Sequence, residues 1–306
     1  MKAGVIVFPG SNCDRDMADA LQRARRALNA AKAGHGGTLD PMASGLLPIA
    51  FGEATKFLHD LLDADKTYEA TLCLGISTDT GDAEGQISGE RPVTCEDAAI
   101  DAACRAFQGD IQQVPPMHSA LKRDGKPLYA YAREGIVLER EARPVTIHSI
   151  EVIGIDRTDP QRPRVSLRTR VSKGTYIRTL AEGIGERLGC GAHLEALRRI
   201  AVGRLTLERA FAPEALERLE PEARIATVGA VDMLLSGLPP VARVDALADR
   251  FIQGQRLVLD NVSRAPLANA PAGPVRVYRG DRLLGTALFA PPGLLAPQRV
   301  LATHHD

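Results

Sequence analysis

Long apolar runs are missing from these 306 residues. A membrane-spanning helix needs roughly 18–20 consecutive apolar residues, and no run approaches that. The N-terminus opens with one lysine and the short run Val5–Phe8, too brief for the core of a secretory signal. Both absences point to a cytoplasmic protein with no membrane partner. Cysteine is sparse and scattered: Cys13, Cys73, Cys95, Cys104 and Cys190 form no Cys-x-x-Cys pair. That argues against a disulfide framework and against a zinc site, and leaves them as small buried side chains. Net charge is missing too, because 38 basic side chains balance 38 acidic ones. No internal repeat is visible.

What is present is an ordinary globular composition, 44% apolar and 25% charged, in a chain long enough for one large domain or two smaller ones. The charge balance conceals a distribution. Residues 60–110 carry three basic and twelve acidic side chains, whereas residues 162–209 carry eleven basic and four acidic. The tail from 240 to 306 carries eight basic and five acidic. One face is therefore expected to be positive, a weak pointer to a polyanion.

Val5–Phe8 reads as a strand closed by Pro9-Gly10, and Met17 to Ala31 as a helix. Thr67–Leu74, Val145–Ile155 and Val165–Val171 have strand patterning, and Cys95–Phe107 has helical spacing. Thr179–Leu188 reads as a helix stopped by Gly189, and Thr78–Asp82 as a turn. Leu238-Pro239-Pro240 is the best linker, since Pro-Pro cannot continue a helix. Residues 241–306 then look like a small β-rich module, too small to stand without leaning on the rest.

The densest unusual segment is Gly34-His-Gly-Gly-Thr-Leu-Asp-Pro-Met-Ala-Ser-Gly-Leu-Leu-Pro48. Its one carboxylate, Asp40, is followed by a proline that biases it away from helical backbone. On the residues alone, Asp40 either caps the next turn or is a side chain aimed from a constrained loop.

This segment, with Gly52-Glu-Ala-Thr-Lys56, closely resembles the catalytic motif of the TruB family of bacterial tRNA pseudouridine synthases. The likeness continues in Asp65-Lys-Thr-Tyr68, Thr78-Asp-Thr-Gly-Asp-Ala-Glu-Gly85 and Pro115-Pro-Met-His-Ser-Ala-Leu-Lys122. It returns in Lys173-Gly-Thr-Tyr-Ile-Arg178 and Leu194-Glu-Ala-Leu-Arg-Arg199. It spans roughly residues 23–240, more weakly to 306. So many ordered segments do not arise by chance as one short motif does.

The resemblance implies an α+β pseudouridine synthase fold, with a large, mainly antiparallel sheet, helices and a central cleft. The catalytic part would cover 23–238, and 241–306 would be a small, PUA-like RNA-binding module. The implied activity is isomerisation of the T-loop uridine at tRNA position 55, which breaks N1–C1′ and joins C5 to C1′. No electrons and no groups are lost, so no cofactor and no metal are expected. Asp40 takes the catalytic place, either as nucleophile at the sugar or as base. Arg178 is expected to pair with it as a fork. Tyr68 is expected to stack on the base, with Tyr176 and Leu197 lining the pocket. Taken alone, Leu197 reads as helix core. His35 is expected to enter the T-loop in place of the everted base. Lys56, Arg198 and Arg199 are phosphate candidates. The partner is the tRNA T-stem-loop, bound by a monomer.

Residues 1–21 depart from the family pattern, which has an Asp-Lys-Pro start. They resemble instead the opening of the glutaminase subunit of phosphoribosylformylglycinamidine synthase, so residues 1–22 read as a fusion junction. Cys190 lies in Leu188-Gly-Cys-Gly-Ala192, which lacks the Gly-x-Cys-x-Gly elbow an amidotransferase needs. A second function class stays open, a non-catalytic tRNA-binding or folding protein, should the altered start disable the site.

Overall fold

The computed structural model describes residues 2–8, 14–241, 244–260 and 271–301, with residues 2–8, 14–16 and 245 defined by backbone alone. The expected turn at Pro9-Gly10, and Cys13, lie outside the described residues.

A ten-stranded sheet forms the frame. From edge to edge its order is Gly229–Ala230, Lys2–Phe8, Ala43–Phe51, Ala192–Val202, Lys66–Leu74, Arg164–Val171, Arg143–Asp156 and Gly109–Gln113. Ala33–His35 and Leu205–Thr206 pair off this path. The junction between Ala43–Phe51 and Ala192–Val202 is parallel, and the others are antiparallel. The fold is thus α+β with a mainly antiparallel sheet, as expected.

Helices Asp14–Ala27, Asp97–Arg105 and Ile177–Arg187 cover one face. Met17, Ala20 and Ala24, one helical stripe, are buried there with Ile100, Cys104, Leu180 and Ile184. The first helix ends at Ala27 rather than Ala31, because Asn29 takes a left-handed backbone, φ +46. The run Gly45–Phe51 is nearly continuous in apolar residues because its strand is buried on both faces. Leu47 and Ile49 enter the core under the helices, while Leu46 and Ala50 enter a second core with Phe57, Val202 and Leu234.

Leu197 corrects the helical expectation, since it lies in the Ala192–Val202 strand, paired on both sides. Leu197 and Arg199 are buried and Arg198 between them is exposed, which is the period of a strand. Lys2–Phe8 fills the slot beside Ala43–Phe51, with Val5 opposite Pro48.

The C-terminal residues form a five-stranded sheet in the order Pro240–Val241, Gly273–Arg279, Arg282–Ala290, Leu294–Val300 and Leu257–Val258. Phe251, Val277, Phe289 and Leu295 make its own core. Leu283 and Leu301 join the second core of the large sheet. Arg299 pairs with Asp60 at 3.2 Å and Lys56 Nζ donates to the Val300 carbonyl at 3.2 Å, so this module is docked on the catalytic part. Leu238-Pro239-Pro240 is not a free tether: Pro240 is already in the second sheet, and the Arg276 amide donates to the Pro239 carbonyl at 3.0 Å.

Candidate active site

Asp40 sits in the loop between strands Ala33–His35 and Ala43–Phe51. The loop is fixed on both sides of it. Leu39 is buried and its amide donates to Met17 Sδ at 3.3 Å. The Asp40 carbonyl accepts the Ala43 amide at 2.8 Å. Gly45 has φ +106, and a Cβ there would collide with the carbonyl oxygen of Arg199 in the neighbouring strand. The glycine therefore lets the Ala43–Phe51 strand, just after the Asp40 loop, lie in contact with the Ala192–Val202 strand.

Arg178, in the first turn of the Ile177–Arg187 helix, ties four segments together. Its Nε donates to Asp40 Oδ2 at 3.0 Å, Nη2 to the His118 carbonyl at 2.8 Å and Nη1 to the Thr80 carbonyl at 3.2 Å. Nη1 also stands 3.5 Å from Asp82 Oδ2. The expected fork on Asp40 is corrected: only Nε meets that carboxylate, because the other nitrogens are committed to backbone carbonyls. The Arg178 side chain is 5% exposed and that of Asp40 is 37%. The guanidinium is thus internal while the carboxylate looks out.

Tyr68, Tyr176 and Leu197 line the same region. Tyr68 stands opposite Arg199, and Leu197 stands between Ala43 and Ala70. Both phenols are partly buried, which pushes their pKa up. The Asp40 charge adds to the rise in both, whereas Arg199 draws Tyr68 down and Arg178 draws Tyr176 down. The buried Gln113 holds the Tyr176 backbone, accepting its N–H at 2.8 Å and donating to its carbonyl at 3.0 Å.

The remaining residues divide. His35 is half-buried, and its Nδ1 lies 2.9 Å from the Gly37 carbonyl. Since a carbonyl only accepts, Nδ1 carries the proton. Lys56 is paired with Glu53 and donates to Val300, so it serves the junction with the C-terminal module. Arg198 is exposed, on the face of the strand opposite the buried Leu197 and Arg199. Arg199 corrects the phosphate expectation outright. It is 2% exposed, and its Nε and Nη1 donate to the Leu46 and Thr38 carbonyls at 2.8 and 2.9 Å.

The expected positive face of residues 162–209 is largely cancelled in space. Arg168 pairs with Glu69 at 2.8 Å, Arg170 with Asp65 at 2.7 Å and Lys173 with Asp63 at 2.8 Å. Arg164 meets Glu195 at 2.7 Å and Arg162 meets Glu90 at 3.3 Å. Arg168 and Glu69 stand directly opposite each other on adjacent antiparallel strands, and Asp65 and Asp63 lie just before the Lys66–Leu74 strand.

The burial of Asp82 and that of Arg199 are not legible in the sequence. Asp82 stood inside a quoted motif with no assigned task, and 6% exposure is what marks it. The alternation Leu197-x-Arg199, one core residue two places from an arginine, was the available signal for the second. Among the described residues no cluster of His, Cys, Asp or Glu is arranged to hold a metal ion. No helix described is long and apolar enough to cross a membrane. Cys190 is buried, and burial pushes its thiol pKa up, the opposite of what an amidotransferase nucleophile needs.

Comparison with known proteins agrees with this geometry. "TruB family pseudouridylate synthase (N terminal domain)" matches residues 25–177, "tRNA pseudouridylate synthase B C-terminal domain" matches 178–235, and "Pseudouridine synthase II TruB, C-terminal" matches 239–301. A "tRNA pseudouridine synthase B" of Burkholderia mallei (strain NCTC 10247) is 56% identical over 286 residues, covering 93% of this chain and 92% of that protein. Its counterpart in Cupriavidus pinatubonensis is 55% identical over 287 residues, covering 92% and 89%. The crystal structure of a Cbf5-Nop10-Gar1 complex contains a chain of similar fold. Its TM-score is 0.73 at 26% identity, covering 97% of this chain and 84% of that one. The fold and the family matches define a pseudouridine synthase, an isomerase. The chain belongs to the TruB family of pseudouridylate synthases. These matches lend the glutaminase likeness of residues 1–21 no support.

Proposed function

We propose that this chain isomerises the uridine at position 55 in the T-loop of tRNA to pseudouridine, in the cytoplasm, with Asp40 as the catalytic carboxylate. The observation that carries the reading is the Asp40–Arg178 contact, 3.0 Å long, with the Tyr68 and Tyr176 phenols both close enough to feel the Asp40 charge. The tRNA substrate accords with the names of relatives more than half identical in sequence.

The target base leaves its stack, at a cost of a few kcal/mol, and His35 fills the gap it leaves. The base lies against the Tyr68 ring, a contact worth about 1–3 kcal/mol. Arg178 holds the Asp40 carboxylate in place through the Nε contact. The carboxylate then acts at the sugar, as nucleophile on C1′ or as base, while N1–C1′ breaks. The base turns, C5 bonds to C1′, the C5 proton is lost and N1 gains one. Atoms and electrons balance within the substrate, so no cofactor is required. The C-terminal five-stranded module, docked beside the site, extends the RNA contact, and one monomer suffices.

The test is incubation with an unmodified T-stem-loop and detection of pseudouridine by carbodiimide-primer extension. The parent converts it, and Asp40→Asn loses turnover while its affinity for the RNA changes little. Near-parent single-turnover rates in Asp40→Asn overturn the assignment. Tight binding without turnover by the parent leaves a non-catalytic tRNA-binding protein.

A further inference from the structure

Buried charges in a protein core carry a large cost unless they are fully hydrogen-bonded. Arg199 is the largest side chain among those almost wholly buried here, and nothing in the Asp40 chemistry uses it. Its surroundings give it a task. In the sheet it stands between Gly45 on one side and Tyr68 on the other, in a single lateral row. Residues level with each other across a sheet point to the same face, so its guanidinium lies beside the phenol. Nε and Nη1 are spent on the Leu46 and Thr38 carbonyls, one on each side of Asp40 in the chain. Nη2 is buried and has no hydrogen-bond partner.

We infer that Arg199 is a positioning residue that locks the Asp40 loop and the Tyr68 phenol into one rigid unit. Two bonds on a planar fork fix both the place and the tilt of the guanidinium, which a point charge cannot do. The loop cannot slide along the strand without breaking one of them. The Arg199 guanidinium faces the phenol and draws its pKa down, so the two side chains already interact in the free protein. The Arg199 backbone, in contact with Gly45, closes the unit from below.

The inference rests on Asp40 and Tyr68 being the reaction centre, and the experiment separates the two claims. Arg199→Lys keeps the charge and loses the fork. Its single-turnover rate on the T-stem-loop falls 10–100-fold, the scale of about 1 Å of lost positioning, while the RNA Kd stays within about threefold of the parent. A merely structural role would not move the rate at constant affinity in a folded variant. Tyr68→Phe removes only the hydroxyl, so in that background Arg199→Lys costs clearly less, a coupling that a double-mutant cycle reads. Parent-like rates in Arg199→Lys, or losses that multiply independently with Tyr68→Phe, overturn the inference. If Asp40→Asn is also active, the reaction-centre reading fails first. Should the lysine variant not fold, 15N-arginine spectra of the unmutated protein decide. Slow rotation about the Arg199 Nε–Cζ bond supports the brace, and fast rotation with rapid proton exchange refutes it.

Discussion

Replacing Arg178 by lysine keeps a positive charge at the start of the Ile177–Arg187 helix and removes the three-way grip. In the parent, Asp40 Oδ2 and the Thr80 and His118 carbonyls all receive a donor from this one side chain. An ammonium on a shorter stem is a point charge that reaches about one of these groups at a time. At least two acceptors then lose their donor around a site where the parent residue is 4% exposed. Charge-assisted bonds contribute about 1.5–3 kcal/mol each, so the loss is about 3–5 kcal/mol, the lower end if water enters beside Asp40. For a native state stable by about 5–15 kcal/mol this lowers Tm by about 5–8 °C. The chemistry suffers more, because Asp40, Thr80 and His118 belong to three separate loops that Arg178 joins. A positioning error of about 1 Å costs on the order of a hundredfold in rate. Calorimetry on the full chain and single-turnover conversion of the T-stem-loop read the two effects. A lysine variant with parent Tm and parent rate refutes the reasoning about the knot.

Gly45→Ala should lower stability by at least about 3 kcal/mol in urea unfolding, since the new Cβ meets the Arg199 carbonyl at φ +106; a loss under about 1 kcal/mol would show that the strands part freely. Burial pushes the Lys66 ammonium down to about 8 from 10.5, and the nearby Arg199 charge adds to this. Between those values the unfolded chain holds a proton that the native one has released. Parent stability relative to Lys66→Met therefore rises with pH from about 8 to 10.5, by about 1–2 kcal/mol after solvent screening. A flat difference across that window argues against the burial. Deleting residues 1–8 bares the edge of Ala43–Phe51 from Gly45 to Ala50, and Tm should fall with turnover; an unchanged Tm would make the first strand dispensable.

Much of this protein was legible from its residues because the signals are local. The alternation in Thr67–Leu74 and Val165–Val171 sets strand period, and the stop at Gly189 sets a helix end, each decided by backbone and side-chain preferences within a few residues. Asp40, Tyr68 and Arg178 could be singled out because loop chemistry and family likeness are both written along the chain. What lies across the chain was not. The basic stretch 162–209 looked like a docking face until the sheet set it against the acidic one. Charge runs add in sequence, but Arg168 and Glu69 cancel only when their strands are neighbours. Arg198 and Arg199 are adjacent letters of one residue type. One is at the surface and one is buried on the Leu46 and Thr38 carbonyls, because a strand sends successive side chains to opposite faces. Tertiary pairing also chose strand over helix for Leu197, and it brought Thr80, Asp82 and His118 around Arg178. Long-range contacts of this kind depend on which strands lie side by side, and no window along the sequence contains that.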